Sequence, residues 1–187
     1  NGHVSDDINT VQQKVKYAQA PHIFRNLGKK KFEAVTTKLG PALQQRMVGR
    51  GAAFGDFDND GDLDLVMTSN NGRPRLLRND GGNQNNVLRI KTAGRTSNRD
   101  GIGARVVLKL PNQTKLWSVV KSGSSYCSQS ELPLTFGLGK TEKVSNIEVT
   151  WPGGRVDLIP DVNANQFITI QEGKGIVAAQ PIVFARP

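Results

Sequence analysis

The 187-residue chain is poor in the residues that most soluble enzymes and crosslinked domains rely on. It has one cysteine, Cys127, which excludes an internal disulfide and cannot by itself build a thiolate metal site. Its two histidines, His3 and His22, both lie in the N-terminal segment, so imidazole is scarce for base catalysis or zinc. Aromatic residues make up 6% of the chain, and no aromatic-interleaved basic motif accompanies the charge. Nucleic acid is therefore not expected as a partner. No apolar run approaches the roughly 20 residues of a membrane-spanning helix. No signal peptide is evident either, but Asn1 in place of Met reads as an internal start, with any leader expected upstream.

What is abundant points to β-structure. Twenty glycines and nine prolines separate short runs rich in Val, Ile, Leu and Thr, and 36% of residues are hydrophobic. That composition can bury a core and predicts an all-β chain with little helix. Net charge is +9, which fits nucleic acid, anionic polysaccharide, an acidic membrane surface or simply a solubilising exterior. Basic residues are spread along the chain, and Lys29-Lys30-Lys31, following Gly28, is the one run and reads as a loop tip.

Self-comparison finds an interrupted repeat. "PHIFRNLG" at 21–28 and "PRLLRNDG" at 74–81 share Pro, two apolar positions, Arg-Asn and Gly at an offset of 53 residues. The complete unit reads as four strands, "KFEAVTT", "GAAFGDF", "LDLVMTS" and "RPRLLRN", as in a β-propeller blade. A propeller needs roughly four to eight blades, so further blades are expected elsewhere in a longer protein. After residue 83 the repeat stops. "VLRIKTA", "ARVVLKL", "KLWSVV", "LPLTFGLG", "SNIEVTW", "RVDLI" and "QFITIQEG" are strand-like, with "WPGGR" at 151–155 as a turn. The predicted fold is a partial β-propeller blade over 1–83 followed by a β-sandwich-like domain over 84–175. An apolar tail, 176–187, is expected to add a strand to this domain or to a partner.

The stretch "FGDFDNDGDLDLVM" at 54–67 carries the chemistry. Asp56, Asp58, Asp60, Asp62 and Asp64 alternate over nine positions, with Gly61 after the third. Five carboxylates on one strand face are untenable without cations. Gly61 permits positive φ, so the chain can coil and bring the carboxylates together. Oxygen-only donors suit a hard cation, Ca²⁺; Mg²⁺ demands stricter geometry, and zinc would recruit His or Cys. An EF-hand is excluded, because its position-12 glutamate is Met67 here and the flanks read as strands. Asp64 is expected to close the site, with Asp62 offering its main-chain carbonyl. A solvated acidic turn is the competing explanation.

This stretch resembles the FG-GAP (VCBS-type) calcium repeat. "SNRDGIGARV" (97–106), "FGLG" (136–139), "VTWPGG" (149–154) and "ANQFITIQEG" (164–173) resemble an ASPIC/UnbV domain. The pairing is similar to the cartilage acidic protein family and its bacterial relatives. The resemblance implies an extracellular or cell-surface, calcium-binding protein, with the metal role falling on Asp56, Asp58, Asp60, Asp62 and Asp64. It implies no catalytic activity, and partners of protein or glycan type at a cell surface or matrix, besides remaining propeller blades or other subunits. Asn98 and Asp100 could join a polar site, although a glycine-rich turn feeding the strand "ARVVLKL" is the favoured explanation. No nucleophile-elbow pattern surrounds Ser122, Ser124 or Ser125. The chain is thus expected not to be an enzyme. Its function is expected to be that of an adhesion or interaction module. The alternatives are a processed subunit of a larger surface assembly, or an accessory protein in natural-product biosynthesis.

Overall fold

The computed structural model describes residues 2–184. Strands dominate it: β1 (Phe24–Gly28), β2 (Lys31–Ala34), β3 (Gly49–Gly55), β4 (Asp64–Ser69), β5 (Gly72–Leu77), β6 (Asn86–Ala93), β7 (Arg105–Lys109), β8 (Lys115–Val119), β9 (Leu134–Gly139), β10 (Lys143–Thr150), β11 (Val156–Asn163), β12 (Gln166–Gln171) and β13 (Gly175–Pro181). A four-residue helix, Ile8–Val11, and three short 3₁₀ turns are the helical content of the described residues. The fold is all-β, and none of its sheets closes on itself.

Two compact units emerge. The first comprises Asn1–Ala53, Leu65–Leu77 and Ser125–Ser128; the second comprises Phe54–Asp64, Arg78–Ser124 and Gln129–Pro187. The aspartate stretch 56–64 thus groups with the C-terminal strands rather than with the repeat in which the sequence embeds it.

In the first unit, β3, β4 and β5 form a three-stranded sheet in that order, while β1 and β2 form a separate hairpin. Three of the four strands expected in one blade therefore share a sheet, and the first pairs with β1 instead. The reason is local. Gly28 pairs with Lys31 across a two-residue turn in which Lys29 and Lys30 have φ of 47° and 60°, and this hairpin satisfies β2 before β3 begins. The unit's small core is Leu43, Met47 and Met67, flanked by Ile23, Leu65 and Leu77.

The second unit packs two four-stranded sheets, β11-β10-β7-β8 and β13-β12-β6-β9, around one core. Alternation builds it: Val106 and Leu108 of β7, Ile147 and Val149 of β10, and Ile168 and Ile170 of β12 point inward. Trp151 follows β10 and is fully enclosed; its indole N–H donates to Asp157, so its polar edge is satisfied. The expected strands all form. β11 runs further than its sequence run, to Asn163, and β13 pairs antiparallel with β12, so the apolar tail serves as a sheet strand through Pro181. The 151–155 turn closes by Gly154 N–H donating to Trp151 C=O and Trp151 N–H donating to Arg155 C=O.

Strand β6 is exceptional. Val87, Leu88, Arg89 and Ile90 are all buried, so both its faces are covered. Leu88 and Ile90 enter the sandwich core, which leaves Arg89 on the opposite face.

Candidate metal centre

The loop 56–64 folds on its own carboxylates. Asp56 accepts from Asp60 N–H at one oxygen and from Gly61 N–H at the other, both at 3.0 Å. Asp64 accepts from Phe57 N–H at 3.0 Å and from Asn79 N–H at 2.8 Å. Asp60 accepts from Asp62 N–H and from the Asn83 amide. Gly61, at φ 93°, makes the coil possible. A Cβ there would stand 2.8 Å from Ile182 and 3.3 Å from Val87, so both backbone angle and space require glycine.

Three of the five aspartates converge. One carboxylate oxygen each from Asp56, Asp58 and Asp64 lies within 4.8 Å of the others, a donor set that can hold a metal ion. Asp56 and Asp64 are buried while Asp58 faces solvent, which leaves an approach for an ion. Asp60 and Asp62 are outside this triplet. Asp62 accepts from Gly82 N–H through Oδ2, and its Oδ1 is buried without a hydrogen-bond partner. Burial, joined by repulsion from Asp60, pushes the Asp62 carboxyl up to about 6. Burial likewise raises Asp56, despite the opposing pull of Arg89. An orphaned buried oxygen and carboxyls held above their ordinary range mark a loop with unmet negative charge. These residues fit a hard cation.

Part of that charge is met from within. Arg89, 3% exposed, places Nη1 2.9 Å from Asp56 Oδ2 and Nη2 2.5 Å from Glu131 Oε2. Its Nε donates to Thr135 Oγ1, and its guanidinium lies 4.9 Å from the ring centre of Phe167. Burial raises Glu131, with Arg89 acting against the rise. Sequence reasoning missed both residues. A cation inside the apolar run "VLRI" was the available signal; its partners are far away in sequence.

The second pair, Asn98 and Asp100, makes local contacts. The Asn98 amide donates to Ile102 C=O and accepts from Ile102 N–H, closing its own turn. The Asp100 carboxylate pairs with its neighbour Arg99. The same loop does hold a carboxylate that the sequence did not reveal. Glu172 accepts from the N–H groups of Arg95, Thr96 and Ser97 and from the hydroxyls of Thr96 and Ser97. These bonds, that of Ser97 N–H foremost, lower Glu172 to about 2. It is a filled anion nest, and its role is to tie β12 to the 95–97 loop.

A family model described as FG-GAP-like repeat matches residues 6–67, and one described as ASPIC and UnbV matches residues 94–177. Human cartilage acidic protein 1 is 33% identical over 144 residues, covering 74% of this chain and 22% of that protein. The mouse protein gives the same identity and coverage. That of Xenopus tropicalis is 36% identical over 113 residues, covering 58% of this chain and 17% of its own length. The chain thus spans about a fifth of the curated relatives it matches. In this order and over most of its length, the chain consists of an FG-GAP-like repeat followed by an ASPIC and UnbV domain.

Proposed function

We propose that this chain is a calcium-binding, non-catalytic interaction module that works outside the cell, where free Ca²⁺ is plentiful. The observation that carries the proposal is the triplet Asp56, Asp58 and Asp64, reinforced by the unpartnered Oδ1 of Asp62. Bound calcium would neutralise carboxylates that Arg89 alone leaves in excess, and would fix the loop on the second unit. The likeness to cartilage acidic protein 1 supports the extracellular setting, and no helix among the described residues is long and apolar enough to cross a membrane.

Partners of two kinds fit. The first unit exposes Phe24 (59%), Phe32 (64%), Val66 and Leu76, a large apolar area for so small a unit. Further repeats of the same type, the remaining blades of a propeller, are the proposed cover. Beyond these, the module meets protein or glycan at a cell surface or matrix.

The test is calorimetric titration of chelator-stripped protein with Ca²⁺ and with Mg²⁺. Wild type binds one Ca²⁺ and prefers it to Mg²⁺. Asp58→Asn, chosen because this side chain is exposed and its loss spares folding, weakens binding at least tenfold, whereas Asp161→Asn leaves it unchanged. Equal calcium binding by wild type and Asp58→Asn would sink the reading.

A further inference from the structure

The chain's basic residues occur in both units, but its net positive charge is concentrated in the first. The first unit has eleven lysines and arginines against three carboxylates, Asp6, Asp7 and Glu33, and so holds eight of the nine net charges. From residue 8 to residue 55, Glu33 is the only acidic side chain among nine cations. Glu33 is itself engaged by Lys38, with Arg25 close enough to help lower its carboxyl. Arg50 and Arg75 donate to backbone carbonyls, of Gly49 and His3 and of Gln45 and Arg46, so their charges meet no carboxylate there.

The charge is sharpest at the β1–β2 turn. Lys29, Lys30 and Lys31 are exposed, and none of the ion pairs of the described residues involves them. Lys29 and Lys30 sit in the left-handed region, where a two-residue hairpin turn calls for Asn-Gly. Two successive lysines in that conformation are strained, and fold stability gives no reason for them. The lysines face water at the tip of a two-stranded projection, where they can meet a partner without rearrangement.

From this segregation we infer that the first unit is a docking surface for a linear polyanion, with the lysine turn as its leading contact. The inference deepens the reading of the chain as an extracellular interaction module and takes its choice of partner from it: in that setting the abundant polyanions are sulfated and carboxylated polysaccharides. Lysine ammonium groups bind such chains as point charges and need none of the planar fork geometry that phosphate recognition by arginine exploits. Affinity should fall steeply with salt, as expected where counterions are released.

The experiment uses the full chain and heparin as the probe, titrated at several salt concentrations in both Ca²⁺ and EGTA. Binding in EGTA separates this inference from the calcium reading, because each can fail alone. Lys29→Gln/Lys30→Gln/Lys31→Gln should weaken heparin binding about tenfold or more and flatten the salt dependence, as loss of up to three ion contacts requires. Lys115→Gln/Lys140→Gln/Lys174→Gln removes the same charge from exposed positions of the second unit, which carries almost no net charge, and should change binding less than about twofold. A third variant, Lys29→Asn/Lys30→Gly, relieves the turn and should melt higher than wild type while binding heparin more weakly. Equal losses from the two triple variants would overturn the inference in favour of net charge alone. Tighter binding to duplex DNA or to phosphatidylserine vesicles at matched salt would overturn the choice of partner. Absence of heparin binding at low salt would overturn the whole.

Discussion

Replacing Arg89 with Met keeps most of the aliphatic stem and removes the one cation among the loop's buried charges. In the wild type, the Arg89 and Asp56 side chains are 3% and 1% exposed, and Glu131 shares the same guanidinium at 19%. Without Arg89, two carboxylates in a largely dry site lose their counterion, one of them already short of a partner at Oε1. Breaking a buried pair from one side costs about 3–5 kcal/mol. A value near the lower bound is expected, because Glu131 retains some solvent. Urea unfolding followed by tryptophan emission measures it: Trp151 is 1% exposed and Trp117 63%, so the change on unfolding comes mostly from Trp151, in the same unit as the loop. Under the proposed calcium reading, the ion would be an alternative cation for Asp56, so the deficit should shrink when Ca²⁺ is added. Asp56→Asn should restore part of the stability to Arg89→Met, since it removes one stranded charge. A loss below about 1 kcal/mol in the absence of metal would refute the reasoning, because solvent-exposed pairs are worth that little and the carboxylates would then be hydrated.

The geometry supports three further expectations. Gly61→Ala should cost about 2–3 kcal/mol through positive φ and crowding against Ile182, measured by the same unfolding curve, and should weaken calcium binding with it. Glu172 has a carboxyl lowered to about 2, so the stability it contributes is complete above the ordinary glutamate range near 4.5 and is lost as pH falls from there towards 2. Glu172→Gln should therefore melt lower than wild type at pH 7, and the two should converge in acid. Asp157 is also held low: burial opposes ionisation, but bonds from Gly173 N–H, Arg155 and the Trp151 indole outweigh it. Asp157→Asn should loosen the 151–155 turn, which a red shift in Trp151 emission would register.

The strand pattern of the second unit was legible because its period-two alternation survives almost uninterrupted, as in "VVLK" of β7 and "ITIQ" of β12. The aspartate loop was legible as a candidate cation site because five carboxylates in nine positions repel one another unless neutralised, and the structure brings three of them together, Asp56, Asp58 and Asp64. The coiling of the loop about Gly61 could be read too, since glycine permits a backbone angle that other residues resist. The loop's supports were hidden from the sequence. Arg89 is 33 residues from Asp56 and Glu131 is 42 from Arg89, and no local rule links such positions. The Glu172 nest spans 75 to 77 residues and was hidden for the same reason. The pairing of β2 with β1 was missed because a repeat shows that four strands recur, not which edges they choose.

The buried position of Arg89 bears on how this protein can be cut. The polar stretch 79–86 invites a break between the repeat and the sandwich, and a fragment starting at residue 84 would carry every strand from β6 onward. It would leave behind residues 54–64, and with them the carboxylate that balances a guanidinium buried on an inner strand of its sheet. Asn79 and Gly82, which donate to Asp64 and Asp62, would be lost as well. Such a fragment would keep its sandwich core and expose the outer face of β6, which makes insolubility the expected result of a cut that looks safe on paper. A fragment beginning before Phe54 keeps the charge pair intact, and the natural unit for expression, labelling or domain exchange therefore starts some thirty residues upstream of where the repeat ends.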